Sequence, residues 1–78
     1  MKASTKLGLD QYVKYRIPTG GFLHTVLSND LMGAIEKADK ENRDDIFEIC
    51  QYIHNNLPVI CYGSAKAVSE WLQERYKV

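Results

Sequence analysis

The sequence predicts an all-α fold: a compact single domain of four or five short helices. Three observations carry this expectation. Apolar residues recur at helical spacing in several separate stretches. Pro18, Gly20-Gly21, Pro58 and Gly63 punctuate those stretches. No strand pair, internal repeat or low-complexity tract interrupts them. With 78 residues, 45% apolar and 26% charged, the composition is globular and leaves no room for a second domain.

Residues 1–8 are polar and contain Gly8, which reads as a flexible N-terminal arm before a helical domain over 9–78. Leu9, Tyr12, Val13, Arg16 and Ile17 then recur at helical spacing, predicting a first helix from Leu9 to Arg16. Pro18 disfavours helical geometry at Ile17 and ends it. Phe22, Leu23, Val26 and Leu27 give a short second helix. Ser28 or Asn29 is suited to cap a third, with Leu31, Ala34, Ile35 and Ala38 as its stripe.

The run from Asp39 to Asp45 reads as a charged corner. It leads into the clearest helix, whose stripe is Ile46, Ile49, Cys50, Ile53 and Leu57, and which Asn55-Asn56-Leu57-Pro58 ends. Val59-Ile60-Cys61-Tyr62 reads as an extended apolar link. Gly63-Ser64 forms a turn and N-cap, and Ala65, Val68, Trp71, Leu72 and Tyr76 line the last helix. Trp71 and Tyr76 sit at packing positions.

Ten basic residues balance ten acidic ones. That balance argues against a broad nucleic-acid-binding surface and against an acidic DNA mimic. No candidate recognition helix around Ser28-Asn29 carries enough Arg or Lys for a DNA-binding regulator. Cys50 and Cys61 have neither CxxC spacing nor secreted-scaffold density, and no apolar run has the length of a signal peptide or membrane span. A cytoplasmic location is expected. A domain of this length holds only about 4–12 kcal/mol of stability. Chains so small often gain more by self-association, so a homo-oligomer is expected too.

Candidate site residues cluster in one stretch. Arg16 falls on an apolar stripe, where a guanidinium must pair or snorkel. A structural pair with Asp30, Asp39 or a backbone carbonyl is one reading; an anion-binding arginine is the other. Thr19, Gly20 and Gly21 stand at a helix start, where free N–H groups attract phosphate. The same glycines equally serve a tight turn, and neither GxGxxG nor the lysine-containing Walker pattern is present. Tyr15 falls off the stripe, fit to stack a base or anchor an interface. His24 adds charge or hydrogen bonding, and Asn29 either contacts a ligand or starts a helix.

Catalytic and metal signatures are missing. Cys50 and His54 lie four apart, but with Cys61 and His24 they match no zinc-site spacing. Asp44 and Asp45 are adjacent and point apart, a poor acid/base pair. No enzyme, metal or cofactor is expected.

The string Ile17-Pro18-x-Gly20-Gly21-Phe22-Leu23-x-x-Val26-Leu27-x-Asn29-Asp30-Leu31, followed by Ala38-Asp39-x-x-Asn42 and Pro58-x-x-Cys61-x-Gly63-Ser64-x-x-x-Val68-x-x-Trp71, resembles a family of small uncharacterised phage and prophage proteins. The likeness spans Leu9 to Leu72 and implies no catalytic residues. It implies a setting, an accessory protein made by a virus in a bacterium and acting on host machinery or host defence by binding. Two functions fit. The first is sequestration of a small anionic, nucleotide-derived ligand by Tyr15, Arg16, Thr19, Gly20, Gly21, His24 and Asn29. The second is a protein-binding inhibitor or adaptor anchored by Tyr15, Tyr62 or Tyr76.

Overall fold

The computed structural model describes residues 1–74, which form six α-helices and one 3-10 turn with no strand. The helices are α1 (Ala3–Tyr15), α2 (Gly21–Leu27), α3 (Leu31–Lys37), α4 (Lys40–Asp44), α5 (Ile46–Asn56) and α6 (Ala65–Gln73), with the 3-10 turn at Val59–Cys61. The all-α expectation holds. No helix among the described residues is long and apolar enough to cross a membrane. Tyr76 lies outside the described residues.

α1 begins six residues earlier than its apolar pattern suggested, so residues 3–8 form its first turns and not a flexible arm. The reason is Thr5. It is polar by type, yet it sits one turn before Leu9 on the face that Tyr12 continues, and all three are buried. The end of the helix is also tied down by charge. Lys2 Nζ lies 2.7 Å from Asp39 Oδ2, and the Met1 ammonium pairs with Glu48 and Asp45. Farther along, Tyr52 donates a 2.6 Å hydrogen bond to Asp10, which Lys6 also pairs. Those two donors hold the Asp10 carboxyl below its ordinary pKa.

The chain leaves α1 through Arg16, whose backbone adopts left-handed geometry with φ 56°. Its N–H donates to Tyr12 O, the single bond of an αL cap, and the N–H of Ile17 donates to Gln11 O. Extended backbone then runs through Pro18 to α2, which packs against α1 closely enough that a Cβ on Gly8 would lie 3.6 Å from Leu23 Cδ1. A second left-handed residue, Asn29 at φ 62°, turns the chain into α3. The α3 cap is Asp30, whose carboxylate accepts from Gly33 N at 3.0 Å, and neither Ser28 nor Asn29 takes that role.

The charged corner contains a helix of its own. Asp39 accepts from Asn42 N at 2.8 Å and starts α4, which raises the helix count beyond the expected four or five. α5 ends at Asn56 as its sequence indicates. The segment after Pro58 was expected to be extended but coils into the 3-10 turn, which brings Cys61 to full burial. Gly63 at φ 108° then hands the chain to Ser64, whose Oγ accepts from Ala67 N and caps α6.

The core unites Leu9 and Tyr12 of α1, Leu23 and Leu27 of α2, Ile49 and Ile53 of α5, and Cys61 with Val68. Tyr12 is its largest member. Its hydroxyl donates to Cys61 O at 2.7 Å, and burial pushes its pKa well above the usual tyrosine value. Tyr12→Phe keeps the ring but leaves that carbonyl buried and unpaired. We expect a loss of about 1–3 kcal/mol, read from the urea midpoint with an unchanged far-UV spectrum.

Candidate functional site

The residues predicted to form one ligand site stand on different surfaces. Arg16 meets neither Asp30 nor Asp39. Its guanidinium stacks on the Trp71 ring, 3.5 Å from the centroid, and Nη1 donates to Trp71 O at 3.0 Å. The partner is therefore a backbone carbonyl together with a π face. Trp71 is itself fixed, because its indole N–H donates to Tyr12 O at 2.9 Å. Arg16 thus closes α1 onto α6, which compensates a left-handed backbone worth about 1 kcal/mol of strain in a residue bearing a Cβ.

Around this pair lies a cavity of about 190 Å³ lined by Arg16, Ile60, Glu70, Trp71 and Glu74. Ile60 is 69% exposed and its neighbour Val59 78%. Tyr15, directly before Arg16, is exposed as its position off the stripe indicated. The Lys14 ammonium lies 5.4 Å from its ring centroid. Glu70 faces solvent, held only loosely by Lys66 at 3.9 Å.

Gly20 and Gly21 belong to a separate groove of about 290 Å³, shared with Lys2, Ser4, Thr5, Phe22, Leu23 and Asn42. Thr19 stays beside this turn, its hydroxyl donating to Gly20 O at 3.2 Å. Lys37 crosses the turn closely, since a Cβ on Gly21 would lie 3.9 Å from its Nζ. Lys2 is already engaged by Asp39 and Glu41, and the Asp39 hydrogen bond holds its pKa above the ordinary lysine value. Asn42 Oδ1 is buried there with no hydrogen-bond partner.

His24 is exposed on α2 and lines none of these cavities. Asn29 lies on a third surface, where two adjoining cavities of about 60 and 260 Å³ share Val26, Asn29 and Cys50. Tyr62, half-buried, lines the larger one.

This third surface escaped the sequence reading. Leu31 and Ile35 fit a core stripe but are 65% and 42% exposed; only Ala34 of that stripe is buried, with Ala38 partly covered. Cys50, also assigned to a core stripe, is exposed and lines the groove instead. The buried face of α5 is centred on Ile49 and Ile53, which leaves Cys50 at its edge. A signal was available in Phe47, an aromatic outside every stripe, and it is 76% exposed.

Desolvation raises the pKa of both thiols, leaving less thiolate at neutral pH. Among the described residues, no group of three His, Cys, Asp or Glu side chains is placed to hold a metal ion.

The Arg16 clasp has a measurable signature. Arg16→Ala removes the stack and the charged hydrogen bond while keeping the strained backbone, an expected loss of about 2 kcal/mol. Arg16→Gly removes the same contacts but relaxes the left-handed residue, so it should recover about 1 kcal/mol of that loss in urea titrations. No family model, curated protein or solved structure matches this chain.

Proposed function

We propose that this chain is a non-catalytic accessory protein that binds another protein, as an inhibitor or adaptor, through the Arg16–Trp71–Ile60 surface. The carrying observation is that Ile60, more than two-thirds exposed, lines a cavity with an arginine stacked on a tryptophan, and its chain neighbour Val59 is exposed as well. Tyr15, the residue before Arg16 in the chain, is exposed. Arg, Trp and Tyr are the side chains that dominate binding energy at protein interfaces. Here Arg16 and Trp71 are already fixed by hydrogen bonds, so little side-chain freedom is lost on binding.

The cavity pairs apolar walls from Ile60 and Trp71 with the acidic Glu70. Its complement is a protein segment bearing an apolar side chain next to a lysine or arginine. The resemblance to small phage proteins supports a setting in the cytoplasm of a bacterial host, with host machinery or host defence as target. Ile60→Asp places a charge at the cavity without touching the core. A stoichiometric partner retained from host lysate by the wild type should be lost by this variant, with the unfolding midpoint unchanged. Equal capture by both would overturn the assignment.

A second reading, sequestration of a small anionic, nucleotide-derived ligand, draws support from the groove at Gly20-Gly21. Lys37 stands at that turn and Lys2 at its rim. Thermal shift against nucleotides, cyclic dinucleotides and ADP-ribose derivatives tests it. A ligand at about 100 times its dissociation constant adds roughly 2.7 kcal/mol, and Lys37→Ala should diminish the response. A flat response at saturating concentrations removes this reading.

A further inference from the structure

We propose that the groove between the start of α1, the Gly20-Gly21 turn and α4 binds a nucleoside monophosphate whose base carries an amino group. This rests on the sequestration reading and narrows it to one class of ligand. Two side chains of the groove hold hydrogen-bonding capacity that the fold does not use. Thr5 lines the groove and is only 7% exposed, yet its hydroxyl bonds to nothing among the described residues. A helical threonine ordinarily returns its hydroxyl to a carbonyl one turn back, as Thr25 does to Phe22 O. Asn42 is the second: its backbone N–H is taken by Asp39, but its Oδ1 is buried without a partner. Such groups are rare in folded proteins, because each costs stability.

Their chemistry selects what fills the groove. An amide oxygen accepts, so the ligand must bring an N–H or O–H, whereas a hydroxyl both donates and accepts. Together they suit an edge on which a donor and an acceptor stand side by side. The amino edges of adenine and cytosine have that pattern, and asparagine is a side chain that pairs with adenine through it. Phe22, half-buried, lines the same groove and offers a ring on which a base stacks.

Charge and size set the rest of the ligand. Lys2 is spent on Asp39 and Glu41. Lys37 is not: it makes no ion pair among the described residues, and its Nζ would lie 3.9 Å from a Cβ on the groove residue Gly21. One free ammonium answers one phosphate, and the carboxylates beside Lys2 disfavour a longer phosphate chain. The groove volume of about 290 Å³ stands at the lower end for small-molecule sites. That suits a mononucleotide better than a cyclic dinucleotide or an ADP-ribose.

Isothermal titration calorimetry of the full chain tests the proposal with AMP and CMP, which carry the amino group, and with IMP and UMP, which carry oxygen in its place. AMP or CMP should bind about tenfold more tightly than its oxygen counterpart. Thr5→Val removes a hydroxyl that the fold does not use, so the urea midpoint should not fall while affinity drops about tenfold. Lys37→Ala, an exposed change, should weaken the monophosphate by a similar factor and leave the matching nucleoside unaffected. Binding that ignores both substitutions, a preference for IMP or UMP, or a lowered midpoint in Thr5→Val would overturn the proposal. Silence from all four monophosphates at millimolar concentration, with a cyclic dinucleotide or ADP-ribose bound, would overturn it and leave sequestration standing. Silence from every nucleotide would remove both.

Discussion

The closure of α1 onto the C-terminal third of the chain holds this domain together. Three hydrogen bonds make it, from Tyr12 Oη to Cys61 O, from Trp71 Nε1 to Tyr12 O, and from Arg16 Nη1 to Trp71 O. They join residues 49, 59 and 55 positions apart. Contacts over such separations carry a large loop-closure entropy, which hydrogen bonds alone do not offset. Burial of Leu9, Ile49 and Val68 around Tyr12 supplies the driving force, and the polar triad fixes one arrangement of it. The Tyr12 and Trp71 rings, 6.4 Å apart, share in both tasks.

This closure also explains how a surface arises from a stability device. Pro18 requires an extended residue before it, so the chain must leave α1 at Arg16 or sooner. The left-handed exit swings the Arg16 side chain toward α6, where the indole face receives it. The 3-10 turn then presents Val59 and Ile60 outward while Cys61 is buried in the core. One local backbone choice at each end leaves an arginine, a tryptophan and two aliphatic residues at the surface.

Where chemistry was local, the sequence was legible. Pro18, Asn56-Leu57-Pro58 and Gly63-Ser64 end or begin helices through their own backbone preferences, and the structure follows them. Thr5 misled because its type hides a buried role, which erased two turns of α1 from the pattern. Leu31, Ile35 and Cys50 misled in the opposite sense. Helical periodicity identifies a shared face but not whether anything covers it, and α3 is too short to be enclosed on two sides. Arg16, the Gly20-Gly21 pair and Asn29 line separate cavities for a related reason. Residues 15–29 are continuous in sequence, yet two left-handed turns and a proline send their side chains to three surfaces. Trp71, the partner of Arg16, lies 55 residues away and no spacing rule reaches it.

The two exposed apolar surfaces differ in a way that bears on what each is for. The Arg16–Trp71 surface mixes aromatic, aliphatic and charged groups. Such a composition suits an interface that forms and dissolves. The α3–α5 face carries Asn29 and Asp30 at its groove, and leaving Leu31, Met32 and Phe47 in water is unfavourable. A domain this small has little stability to spare for that exposure.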